Sequence, residues 1–135
     1  MKTSELIGPA LDWAVAKCMG REDPIYWFAP EPGDKDWEEG ADHSKLFYIS
    51  GPERQGPYSP STNWAQGGPI LNLKGISKPI DIFHIQQEPP VFEAEIQIEP
   101  CKRVRGRGPS QLIAAMRCFV ASKLGDEIEL PKELI

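Results

Sequence analysis

Residues 58–69, YSPSTNWAQGGP, place many small hydrogen-bonding groups beside one large aromatic. The stretch offers the hydroxyls of Tyr58, Ser59, Ser61 and Thr62, the amides of Asn63 and Gln66, the Trp64 indole and the backbone of Gly67 and Gly68. Such groups bond a polar ligand without carrying charge. Pro60 and Pro69 restrict the backbone at and just before each of them, which preforms the loop and lowers the entropic cost of binding. The competing reading is a turn-rich connection whose Ser, Asn and Gly satisfy only their own backbone.

A second constellation lies at residues 101–108, CKRVRGRG, where Lys102, Arg103, Arg105 and Arg107 form the chain's basic island. Guanidinium forks suit phosphate or carboxylate. A helix is expected to open just after it, and free N–H groups near Ser110 and Gln111 would favour an anion. If the loop, the arginines and Ser110 converge, the fitting occupant is a small anionic ligand with a flat ring, such as a nucleotide or cyclic nucleotide. Against this stands a plainer arrangement in which Gly106 and Gly108 make a tight turn and the arginines stay in solvent, where they balance an acidic surface.

Covalent chemistry has less to work with. Gly67-Gly68 lacks the glycine spacing and the Lys-Ser/Thr of a triphosphate-binding loop. Ser59 and Ser61 lack the Gly-x-Ser-x-Gly setting of an esterase nucleophile. His84, inside the apolar alternation IDIFHI, reads as a hydrogen-bonded structural histidine, His43 as a loop residue, and Cys118 as inert packing. Cys18, Cys101 and Cys118 show no zinc-like spacing, so no metal, cofactor or catalytic residue is assigned. The chain is therefore read as a binding protein, not an enzyme.

The elements that must position these groups follow from periodicity. Over residues 10–19, Leu11, Ala14, Val15 and Cys18 share one face of a helix that Gly20 stops. Trp13 lies off that stripe, covering a second surface or contributing to a pocket. Residues 21–44 form a Pro/Gly-rich acidic excursion with Tyr26, Trp27, Phe28 and Trp37, an aromatic set that either folds back on the core or makes a partner-binding patch or lid. Strands are expected at 45–50, 80–86 and 91–99. In the last, Phe92, Ala94, Ile96 and Ile98 alternate with Glu93, Glu95, Gln97 and Glu99, giving one face to a core and the other to water. Residues 70–73 fit a short strand or one helical turn. A long helix opens at 109–110 and ends at Gly125, with a stripe of Leu112, Ile113, Met116, Phe119, Val120 and Leu124. Its other side, Ala114, Ala115, Cys118 and Ala121, is small and would also suit a second subunit. Residues 127–130 are strand-like.

The expected fold is α+β, a single domain over residues 1–135: a mainly antiparallel sheet packed with an N-terminal helix and a long C-terminal helix. The length of 135 residues suffices for a sizeable core, and 40% hydrophobic composition opposes disorder. A net charge of -5 disfavours duplex nucleic acid and anionic membrane as partners. Single-stranded nucleic acid survives only if the basic field is strongly local. No run is long enough to span a bilayer.

Three segments, YSPSTNWAQGGPI, GPSQLIAAMRCFVASKLGDEIELP and KTSELIGPALDWAVAKCMG, resemble the corresponding parts of the NinX-like family of small phage and prophage proteins, a family of unknown function. Together they cover nearly half the chain, while residues 34–42 and 76–90 carry no resemblance. The resemblance implies a phage or prophage accessory protein acting in the bacterial cytoplasm. It supplies no reaction, ligand or catalytic residue. Two uses are expected from the residues themselves: non-enzymatic binding of a small polar or anionic ligand, or presentation of the aromatic acidic excursion to a host protein.

Overall fold

The alternation of residues 91–99 produces the longest strand and sets the sheet on which the rest is built. The computed structural model describes residues 1–28, 31–33, 37–40, 47–52, 57–72, 81–85, 91–99 and 102–135. Along the chain run α1 (Gly8–Cys18), β1 (Ile25–Trp27), β2 (Phe47–Ile49), α2 (Trp64–Gly67), β3 (Asp81–Ile85), β4 (Val91–Glu99), β5 (Lys102–Gly108) and α3 (Gln111–Leu124), with 3-10 turns at Thr3–Glu5, Gly68–Asn72 and Lys132–Leu134. The fold is α+β. Two antiparallel sheets form, β1-β2 and β3-β4-β5.

Residues 102–108, read from the sequence as a basic island with a tight turn at Gly106 and Gly108 as the competing arrangement, are a strand. The period is two: Arg103, Arg105 and Arg107 alternate with Val104, Gly106 and Gly108, and β5 pairs with β4 in the register Glu95↔Arg105 and Glu93↔Arg107. Gly106 is buried because α3 lies directly on it. A Cβ there would run into Cys118 N and come within 2.7 Å of Ala114 O. The small side chains Ala114, Ala115 and Cys118 form the matching face of the helix and are buried within the chain, while Ala121 stays partly exposed.

Both sides of α3 are therefore covered. Its other side carries Leu112, Met116, Phe119 and Val120 into a core shared with Leu6, Leu11, Val15, Ile70 and Ile96. α1 packs on α3 and on β2. Ser110 caps α3, its hydroxyl accepting the Ile113 N–H at 3.1 Å. Beyond the helix the chain returns along the N-terminal segment. Thr3 N donates to Asp126 O at 2.8 Å and Ile128 N to Met1 O at 3.0 Å.

Other expectations are redrawn in detail. α1 starts at Gly8, the ambiguous stretch after Pro69 is a 3-10 turn, and the strand-like tail contributes one bridge, Lys2↔Glu127. In the acidic excursion, Tyr26 and Trp27 lie on β1, opposite Tyr48 and Phe47 of β2. Residues 29–30, 34–36 and 41–44 of that excursion, His43 among them, lie outside the described residues, as do residues 45–46 of the strand expected at 45–50 and Cys101.

Candidate functional site

The loop that carries most of the candidate residues is held from beneath by a carboxylate. Asp12, on the buried face of α1, accepts the Ser61 N–H at 2.9 Å through Oδ1. Burial pushes the Asp12 carboxyl above its ordinary value, and the bonds from Ser61 oppose that shift. Ser61 is itself buried, and its hydroxyl near the same carboxylate makes no hydrogen bond of good geometry among the described residues. At the other end of the loop, Gly67 lies against Pro60 and Leu112. A Cβ on it would strike Pro60 O and come within 2.8 Å of Leu112 Cδ2. Asp12 and Gly67 thus fix the loop to α1 and α3.

Within the loop many polar groups satisfy one another. Gln66 Oε1 accepts the Ser59 N–H at 2.6 Å while Gln66 Nε2 donates to Pro57 O at 3.1 Å. Asn63 Oδ1 caps α2 by accepting the Ala65 N–H at 2.9 Å. Thr62 N and Asn63 N both donate to Ser59 O. Tyr58 N donates to Ile49 O at 2.8 Å, and Gly68 lies 3.6 Å, measured from an added Cβ, from the Trp64 ring. This internal bonding leaves the loop stiff. It leaves Trp64 outside, 51% exposed.

Trp64 stands beside the opening of α3. Ser61, Thr62 and Trp64 line a hollow of about 490 Å³ whose opposite wall is Phe92, Ser110 and Gln111. The Ser110 hydroxyl is engaged in its cap and its carbonyl takes the Ala114 N–H at 3.0 Å. The N–H groups of Gln111 and Leu112, the first two of the helix, have no acceptor among the described residues. The hollow therefore joins an aromatic plate, a hydroxyl, a carboxamide and two unpaired amides, with no charged side chain in its lining.

The arginines lie elsewhere. Arg103, Arg105 and Arg107 project from the face of the sheet opposite α3, where Arg107 Nε donates to Glu93 Oε2 at 2.9 Å and Arg103 pairs with Glu95 at 3.0 Å. Arg105 sits between the two carboxylates at 3.5 and 3.6 Å. Arg105 and Arg107 line a different groove, of about 700 Å³, on the far side of Pro109, which borders both depressions. Of the sequence candidates, the structure brings together Ser61, Thr62, Trp64 and Ser110. It does not bring Arg103, Arg105 or Arg107 to them, and Tyr58, Ser59, Asn63, Gln66, Gly67 and Gly68 build the loop behind the hollow.

Sequence reasoning placed the amides near Ser110 and Gln111 at the site but missed Asp12, Phe92 and Arg117. Two of these carried a signal: a lone acid within LDWAVA and a lone base within IAAMRCFV are charged residues inside apolar helical runs. The thiols take no part. Burial pushes Cys18 and Cys118 up to about 12. Among the described residues, no group of His, Cys, Asp and Glu is placed to hold a metal, and no helix is long and apolar enough to cross a membrane.

A small α+β unit with one helix seated on an antiparallel sheet, and a stiff aromatic loop at that helix's opening, is the class these features define. The chain belongs to the phage family described as Bacteriophage P22, NinX, which matches residues 2–123. That membership makes it a phage accessory protein. No curated protein matches it.

Proposed function

We propose that the protein acts as a single non-enzymatic domain in the cytoplasm of the bacterial host and binds a small, flat, polar ligand in the hollow between Trp64 and the start of α3. The observation that carries this reading is the half-exposed Trp64 indole lining the same depression as Ser110 and Gln111. A planar ring stacks on the indole, and one oxyanion or carbonyl accepts from the Gln111 and Leu112 N–H groups at the positive end of a 14-residue helix. Thr62 and the Gln111 carboxamide supply direction. Selection of an anion rests on the helix alone, because the arginines face Glu93 and Glu95. The test is a thermal-shift panel of mononucleotides and cyclic nucleotides against the wild type and Trp64→Ala. Stabilisation by at least one compound that disappears in the variant supports the reading; a flat panel removes it.

A second reading, that of a host-protein interaction module, is favoured by the β1-β2 ribbon. Tyr26 and Trp27 are 50% and 49% exposed. Tyr26 stacks on Tyr48 at 4.9 Å between ring centroids, and Trp27 meets Phe47 at 5.2 Å. Stiff aromatics of this kind anchor protein interfaces. Capture of a host protein that is lost in Tyr26→Ala/Trp27→Ala and retained in Trp64→Ala would select this reading over the first.

A further inference from the structure

On the far side of Pro109 a separate groove of about 700 Å³ runs between β5 and the N-terminal segment. Its walls carry Lys2, Arg105, Arg107 and Arg117, opposed by Asp126 and Glu127. Arg105 and Arg107 are paired with Glu93 and Glu95, so among the described residues the groove's cations without an ion pair are Lys2 and Arg117. Its floor, which includes Gly106, Gly108 and Ala121, is small and neutral.

Arg117 is the unusual member. It leaves α3 from within an apolar run and reaches the outer edge of β5, where Nε donates to Leu6 O and Nη1 to Arg107 O, both at 2.7 Å. A guanidinium has five N–H donors, so three remain. No carboxylate lies within 4.0 Å of it among the described residues, whereas Arg103, Arg105 and Arg107 each have a glutamate. Partial burial lowers its pKa, yet a guanidinium stays charged throughout the physiological range. A partly desolvated cation held rigidly by two carbonyls, without a counter-ion, is preorganised to receive one.

We infer that this groove is an oxyanion-binding site in which Arg117 grips the phosphate or carboxylate of a small molecule and Lys2 closes over it, while the body of the ligand lies on the neutral floor. Binding here is independent of the Trp64 hollow. The phosphate and carboxylate sources differ in what they ask of the floor: inorganic phosphate uses Arg117 and Lys2 alone, whereas benzoate also covers Gly106 and Gly108.

The experiment follows the Arg117 Nε–H and the Gly106 and Gly108 amides by NMR in the full-length protein, titrating inorganic phosphate and sodium benzoate at constant ionic strength with chloride as reference. Saturable shifts with either oxyanion are expected, and the tighter of the two assigns the ligand class. Because Arg117→Gln also removes two bonds that tie the fold together, the variants are Lys2→Glu and Glu127→Lys at exposed positions. The first should weaken binding by roughly threefold and the second tighten it by a similar factor. Trp64→Ala should leave both affinities unchanged, so this result and that of the nucleotide panel are separate. Shifts that grow linearly or match those in chloride, or affinities indifferent to both charge reversals, overturn the inference.

Discussion

Replacing Asp12 separates its role as an acceptor from its role as a charge. In Asp12→Ala the Ser61 N–H, now buried without an acceptor, costs about 1–3 kcal/mol. For a chain of this size that is a fall in Tm of roughly 4–10 °C. Asp12→Asn keeps an oxygen for the same N–H and removes a carboxylate whose charged form is opposed by burial. It should match the wild type within about 0.5 kcal/mol at pH 7, or exceed it. The pH dependence has a definite sign. Since the folded-state pKa is raised above the ordinary 3.8, the folded protein binds the proton more tightly than the unfolded chain. The group's contribution is therefore most favourable below 3.8, declines as pH rises through the folded-state value, and is level above it. Urea unfolding of the three proteins between pH 3.5 and 7.5, in half-unit steps, reads this directly. The difference between Asp12→Asn and wild type should grow in favour of the amide over that window and then plateau. Equal losses in the Asn and Ala variants, or a difference that grows towards acid, would refute the assignment.

Gly106→Ala places a methyl against the backbone of Cys118 and Ala114, which cannot rotate away, so α3 must lift from β5; a loss of about 2–3 kcal/mol or more by urea unfolding is expected. Glu93→Gln removes the carboxylate shared by Arg105 and Arg107, and because these pairs are exposed on the arginine side the loss should be about 0.5–1 kcal/mol and should shrink in 1 M salt. In a Cys101→Ser background, Cys18 and Cys118 should resist thiol reagents at pH 8 in the native state and react fully in denaturant, as thiols pushed up to about 12 must.

How much of this was legible beforehand depends on which force set each feature. β4 was plain because Phe92, Ala94 and Ile96 alternate with charged residues, and α3 because its apolar stripe is bounded by Ser110 and Gly125. β5 was hidden by its own composition. Glycines at 106 and 108 are ordinarily turn signals, and only the helix lying on them turns their lack of a side chain into a packing requirement. The same alternation sends Arg103, Arg105 and Arg107 to the face opposite α3, so residues close to Ser110 in sequence are held away from it by the pleat. The loop's role was half visible: its hydrogen-bonding capacity could be counted from Ser59 to Gln66, but not that Ser59, Asn63 and Gln66 would engage one another. Asp12 and Arg117 act through residues 49 and 111 positions away, at Ser61 and Leu6. Local periodicity carries no trace of such pairings.

The hollow between the indole and the helix opening carries the proposed function. A two-dimensional NMR titration of the uniformly labelled protein with the best compound from the nucleotide panel tests it most directly. The Trp64 Nε1–H and the Gln111 and Leu112 amides should shift together along saturation curves that share one Kd, while Tyr26 and Trp27 stay still. Shifts confined to the β1-β2 ribbon, or a Trp64 signal that moves without the two helix amides, would contradict it.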